Sequence, residues 1–194
     1  MTANLKKEAA SQAAPTARDE IVAVLYRLFR CSGYDGVSLA DISAATGLGK
    51  SSLYYHFPDG KPDMAEAVGL FALETLRATL FAPLRAEAPI AAKIAAMLAT
   101  TDAMYDGGAS PCLVANMLPS GAASASLRAV IVEWIDALAS ALKSAGLKPA
   151  AARARAVEAV IAIEGALIVT QASGDRKIFR DALTATKGAL LEGL

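Results

Sequence analysis

The chain has 194 residues, 55% apolar, 20% charged and 6% aromatic, which is enough for one domain, or one domain with a small satellite, to bury a core without disulfides. With 45 alanines and few runs of β-branched residues, the composition favours helix over sheet, and an all-α fold is expected. Lys+Arg and Asp+Glu are 19 each, with two cysteines and one histidine, so bulk charge draws no partner, and neither a disulfide framework nor an intrachain zinc site can be assembled.

Mean hydropathy is +0.40, but the most apolar stretch, 157–169, is broken by Glu158 and Glu164 and falls short of the ~20 residues of a span. No membrane helix, membrane partner, metal or cofactor is therefore expected. Residues 1–15 are polar and alanine-rich, without an apolar block of signal-peptide length. They read as a disordered tail on a cytoplasmic protein whose Cys31 and Cys112 stay reduced.

The first helix is predicted from Thr16, a fitting N-cap, to Gly33, because Ile21, Val24, Leu25, Leu28 and Phe29 follow the i, i+3, i+4, i+7, i+8 pattern. Arg27 and Arg30 read as charges on its exposed face. Ser38 followed by Asp41 starts a second helix, 39–46, that stops at Gly47. A third runs from Lys50 to Phe57 and ends before Pro58 and the Asp59-Gly60 turn. Longer helices are predicted over about 62–82, 88–106, 124–145, 150–173 and 175–192, with a short one over 111–118 and a break at Pro83. The division is thus a tail over 1–15, a small three-helix head over 16–61 and a larger helical bundle over 62–194.

Within the head, Ser43, Gly47, Leu48 and Leu53 stand at helix-turn-helix spacing. On the third helix, Leu53 and Phe57 at i, i+4 must face the core, and steps of about 100° place Ser51 and Tyr55 opposite them. Lys50 and Tyr54 flank one side, Ser52 and His56 the other. That outward face carries no carboxylate, and its lysine, hydroxyls and rings suit phosphates, base edges and thymine methyls. The bland alternative is that the two tyrosines and the histidine merely cover a small core.

Residues 37–64, VSLADISAATGLGKSSLYYHFPDGKPDM, resemble the N-terminal domain of the TetR family of transcriptional regulators, and the likeness extends back to about Arg18. The LYYHF ending and the lysine after it are similar to the family's recognition helix and its exit. The resemblance implies a homodimeric repressor whose two heads bind a palindromic double-stranded DNA operator and release it when a small-molecule inducer enters the body. It places Lys50, Ser51, Tyr54, Tyr55 and His56 in the groove, and Ser38 and Lys61 on phosphates. Helix N-termini and ammonium groups do bind anions. The PDGKPD turn and the PCLVAN segment at Cys112 are similar to the LmrA/YxaF-like subgroup. One departure is charge. From Thr16 to Lys61 five basic residues meet five acidic ones, so non-specific affinity should be weak and binding should depend on those contacts, helped by Lys6 and Lys7.

The stretch 153–171 is apolar on nearly every face, and the last helix repeats an apolar stripe. By the same resemblance these two helices form a four-helix dimer interface through Val157, Ile161, Ile168, Phe179, Leu183 and Leu190; a large monomer core is the alternative. An inducer pocket is expected among the helices of the body, lined by Phe71, Met97, Met104, Tyr105, Met117 and Trp134, with Glu164 or Gln171 as polar anchor. A helical carrier that has lost DNA binding competes with the repressor reading. Catalysis is not expected, since Gly47 to Ser51 lacks the first glycine of a phosphate loop and a lone histidine offers no triad.

Overall fold

The computed structural model describes residues 17–121 and 124–194. The tail over 1–15 with Lys6 and Lys7, and the Thr16 cap, lie outside the described residues. Helices are the only regular structure among the described residues: α1 Ala17–Ser32, α2 Leu39–Thr46, α3 Lys50–His56, α4 Lys61–Leu76, α5 Ala82–Arg85, α6 Ile90–Met104, α7 Leu113–Met117, α8 Ala125–Ser144, α9 Pro149–Ser173 and α10 Arg176–Leu191.

Pro83 does not end a helix as expected. A π-helical segment, Arg77–Phe81, joins α4 to α5, so that Pro83 falls at the start of a new α-turn. The widened π-helical turn just before it accommodates the proline without ending the helical run. The same continuity corrects the reading of membrane length. Lys61–Arg85 and Pro149–Ser173 each run 25 residues and are long and apolar enough to cross a membrane, because alanine keeps them apolar around the few charges. Part of that apolar surface packs α4 against α1 and α8, and α9 against α8 and α10, while the rest lies on the outside of the chain.

One continuous core runs from head to body. Leu25 and Phe29 of α1, Leu53 of α3 and Phe57 join Met64 and Val68 of α4, and the core continues through Phe81, Met97 and Trp134 to Phe179 and Leu190. Phe179, Leu183 and Leu190, assigned from sequence to a partner-facing surface, are instead buried in the chain's own core. The stripe of α10 is strongly one-sided and a single face can be used only once; it packs on α6 and α9.

Candidate nucleic-acid interface and the cavity behind it

The turn between α2 and α3 is set by local chemistry. The Ser38 hydroxyl accepts from the Asp41 amide at 3.1 Å, and Asp41 Oδ2 accepts from the Ser38 amide at 2.8 Å and from its hydroxyl at 2.6 Å. These bonds hold the Asp41 carboxyl below its ordinary range. At the other end, Gly47 takes φ of 70° and its N–H closes on the Ser43 carbonyl, a left-handed stop that an L side chain resists. Because Asp41 is more acidic folded than unfolded, its capping contribution is present above the usual carboxylate pKa and is lost as pH falls through the lowered value. Ser38→Ala should lower the melting temperature by about 2–4 °C at neutral pH, and this difference should shrink in acid, as read by thermal unfolding followed by circular dichroism.

Leu53 and Phe57 are buried, and Tyr55 on the opposite side of α3 is 82% exposed. Tyr55 stacks edge-on with His56 at 5.2 Å between ring centres. The Lys50 ammonium lies 5.8 Å from the Tyr54 ring, and that ring rests on Gly60, where a Cβ would come within 3.3 Å of it. Lys50, Ser51 and Ser52 are exposed beside them. The face predicted from the helical wheel therefore exists as one surface without a carboxylate.

The two phosphate candidates are less free. The Ser38 proton is given to Asp41, so an anion there would be met by the amides of the first turn of α2. The Lys61 ammonium sits 4.2 Å over the Tyr34 ring and the residue is half-buried. A cation held against a ring keeps its charge available on the outer side.

Behind the head, a small cavity of about 30 Å³ lies between α1, α4, α8 and the α6–α7 connection. Of the predicted lining, Met104, Tyr105 and Trp134 reach it. Met97 and Met117 are fully buried in the core instead, with the Trp134 indole N–H donating to the Met97 sulfur at 3.3 Å. Phe71 packs edge-on against Tyr26, 5.6 Å between ring centres, and Gln171 is exposed on α9. Helical spacing identified these as inward or outward but could not say which inward positions meet empty space.

Glu164 stands across the cavity wall, where its Oε1 accepts from the Tyr105 hydroxyl at 2.8 Å. Burial first, then the neighbouring Cys112 and Glu164, push the Tyr105 phenol well above its ordinary value, so it remains a donor. Burial likewise pushes the Cys112 thiol up to about 11, which keeps it protonated and poorly nucleophilic.

Sequence reasoning missed the residues that tie the head to this cavity. Arg30 is half-buried and not the surface charge expected. Its Nε donates to the Pro111 carbonyl at 2.7 Å and its Nη2 to the Met104 carbonyl at 2.5 Å. The guanidinium also lies 6.0 Å and 5.7 Å from the ring centres of Tyr26 and Tyr105. Asn116 of α7 returns the contact, donating from Nδ2 to the Arg30 carbonyl at 2.6 Å. The only sequence signal is the i, i+4 pair Tyr26 and Arg30 beside core Phe29; its partners lie over 70 residues away. Tyr26 and Arg30 line the cavity, so α1 of the head is part of the cavity wall.

On α9 the outward residues are Ile161, Ile168 and Val169, at 66%, 58% and 50% exposure, with Val157 half-buried. Only 33% of this helix's most apolar window is buried. Exposed Ala162 and Gly165 on α9, and Ala185, Gly188 and Ala189 on α10, extend this surface.

Two family models match the chain. Bacterial regulatory proteins of the tetR family match over residues 21–68, and the transcriptional regulator LmrA/YxaF-like C-terminal domain matches over residues 83–185. The HTH-type transcriptional regulator LmrA of Bacillus subtilis (strain 168) is 48% identical over 52 residues, 26% of this chain and 28% of that protein. The chain thus matches little more than a quarter of that relative's length. Among solved structures, a TetR transcriptional regulator from Legionella pneumophila superposes with a TM-score of 0.79 at 20% identity, covering 91% of this chain and 97% of that one. Another from Chloroflexus aurantiacus gives 0.73 at 24% identity, covering 91% and 94%. At these identities the superpositions speak for the fold.

Proposed function

Because the chain belongs to the LmrA/YxaF-like transcriptional regulators of the TetR family, we propose that it acts as a repressor: a homodimer holds a palindromic operator with its two heads and releases it when a small molecule enters the body. Regulators of this family bind DNA and are not enzymes. The observation that carries the reading is the outer face of α3, where Lys50, Ser51, Tyr54, Tyr55 and His56 lie opposite buried Leu53 and Phe57. A helix of two turns with this surface fits a major groove, its hydroxyls and lysine bonding base edges or phosphates and its rings packing on sugars and thymine methyls. In this reading Ser38 and Lys61 seat the flanking phosphates, the head spans 16–61, the body spans 62–194, and the protein works in the cytoplasm.

The dimer is placed on α9 and α10, where Val157, Ile161 and Ile168 lead an apolar surface bordered by small residues. Covering it offsets the exposure of an otherwise solvated apolar helix. The inducer is placed in the cavity bounded by Met104, Tyr105 and Trp134. At about 30 Å³ it is far below the roughly 300 Å³ or more that a drug-sized ligand fills. Entry must therefore move the wall, and α1 is in the wall.

Selection of bound sequences from random double-stranded DNA, at low and near-physiological salt, tests the reading. Recovery of an inverted repeat that survives the higher salt is expected, because the neutral head offers little non-specific attraction. Flat enrichment that vanishes with salt would replace the repressor by a carrier that binds small molecules alone.

A further inference from the structure

The small cavity behind the head has a single charged side chain in its lining, Arg30. Among the described residues no carboxylate forms an ion pair with it; the pairs that form are Arg77 with Glu133, Arg153 with Asp136, Arg176 with Asp106 and Lys177 with Asp181. Arg30 instead donates to the neutral carbonyls of Pro111 and Met104 and lies by the rings of Tyr26 and Tyr105. Burial pushes the Tyr26 phenol above its ordinary value, and the charge and hydrogen bonding of Arg30 draw it part of the way back. A guanidinium does not lose its proton in a protein, and two carbonyl bonds leave further N–H donors on its planar fork. Glu164 lies outside this lining, beyond Tyr105, where it already holds the Tyr105 hydroxyl and the Cys112 thiol.

Much of the remaining wall is apolar, with Leu76 and Leu80 on the α4 side and Val130 and Trp134 on α8. Leu80 belongs to the π-helical segment and Leu76 immediately precedes it. Such turns are rare and recur at functional sites. A cavity of about 30 Å³ must widen to take an organic molecule, and this is the wall segment already away from regular α-helical geometry. None of the lining residues lies on α9 or α10, so a dimer formed there leaves the cavity free.

A carboxylate is the group that a half-buried guanidinium without a counter-ion lacks. Fork to fork it makes two charge-assisted bonds, whereas an alcohol makes a weaker one and an ammonium is repelled. We propose that the ligand of this cavity is an apolar organic acid, its carboxylate on Arg30 and its hydrocarbon body on Leu80, Val130 and Trp134. Arg30 is in α1 and the apolar residues are in the body, so an acid seated there touches both sides of the head–body joint. Its affinity then depends on how the two are arranged. That consequence for DNA rests on the ligand-responsive reading above; the preference for an acid does not.

The test uses the full chain and two rigid bodies, each with three head groups: cyclohexanecarboxylate and 1-adamantanecarboxylate, the corresponding methanols and the corresponding methylamines. Calorimetric titration at neutral pH should give at least one acid a Kd about tenfold or more below that of its alcohol, with the amine weaker still. Trp134, the single tryptophan, lines the cavity and supplies a second readout by its fluorescence. In Arg30→Gln, shown to be folded by its melt, the acid and the alcohol should bind within twofold of each other. That ratio is taken on one protein, so a loosened joint does not mimic the effect. Ala72→Val, a mild filling of the cavity wall, should weaken acid and alcohol alike and fixes the place of binding whether or not Arg30→Gln folds. If neither acid binds, if the acids bind no better than their alcohols, if the preference survives Arg30→Gln, or if Ala72→Val changes nothing, the proposal is overturned. An alcohol or amine that releases a selected operator while the acids do not would overturn it and leave the repressor reading standing. Acids that bind as expected to a protein whose DNA selection stays flat would leave the acid site standing and end the repressor reading.

Discussion

Tyr55→Ala should lower affinity for the selected operator by about ten- to a hundredfold while leaving the thermal melt unchanged. The magnitude is that of losing one good groove contact, about 1–3 kcal/mol, and the unchanged melt follows because the side chain is 82% exposed and surface replacements away from caps and cores stay within about 0.5 kcal/mol. Lys50→Ala should behave differently. It should weaken specific and random DNA alike and reduce the slope of log affinity against log salt by about one, the signature of a phosphate contact. Fluorescence anisotropy with operator and scrambled duplexes at several salt concentrations separates the two. Normal operator binding by Tyr55→Ala would mean that α3 does not enter the groove through this face, and that its tyrosines cover the small core of the head as the bland alternative holds.

Arg30→Ala should be the most disruptive polar substitution between head and body. The guanidinium makes two charge-assisted bonds, to the Pro111 and Met104 carbonyls, each worth about 1.5–3 kcal/mol. Losing both should cost about 3 kcal/mol or more, a fall of about 6–12 °C in melting temperature for a chain of this size. Amide hydrogen exchange should accelerate across α1 and α7 more than across α9 and α10, because the α1–α7 contact is where the anchor is removed. Arg30→Lys should recover only part of the loss, since an ammonium lacks the planar fork that reaches two carbonyls at once. Asn116→Ala, which removes the reciprocal bond, should be less than additive with Arg30→Ala. An Arg30→Ala protein with an unchanged melt would show that core packing of Leu25 and Phe29 alone holds α1 in place.

The two results bear on different levels of the molecule. Tyr55 tests a surface that local rules build by themselves, whereas Arg30 tests a joint that exists only once distant segments meet. Tyr26 and Arg30 are the head residues in the cavity wall, and any shift that a ligand there brings to the DNA equilibrium can be no larger than its differential affinity for the two arrangements.

Much of the head was legible because its information is local. Capping at Ser38 and Asp41, the left-handed stop at Gly47, and the i, i+4 pair Leu53 and Phe57 fix α2, its turn and the orientation of α3, so the outer face of Tyr55 follows from helical geometry. In the body the same periodicity gave the helices but not their neighbours. Alanine-rich α9 has almost no one-sidedness, so its pattern could not separate Ile163 and Leu167, which are buried, from Ile161 and Ile168, which are not. For α10 the stripe was read correctly and given the wrong companion: Phe179, Leu183 and Leu190 pack inward on their own subunit.

By itself, then, the sequence determined an all-helical chain, a helix-turn-helix head and the side chains that head turns outward, because each depends on residues within a turn or two of one another. Only the tertiary structure decided that α4 continues through a π-helical segment past Pro83, that Met97 and Met117 fill core while Met104, Tyr105 and Trp134 border a cavity, and that Arg30 of the head grips the body. Those outcomes rest on contacts between segments tens of residues apart, and packing volume and the pairing of buried polar groups, not periodicity, select among the arrangements that the same helices permit.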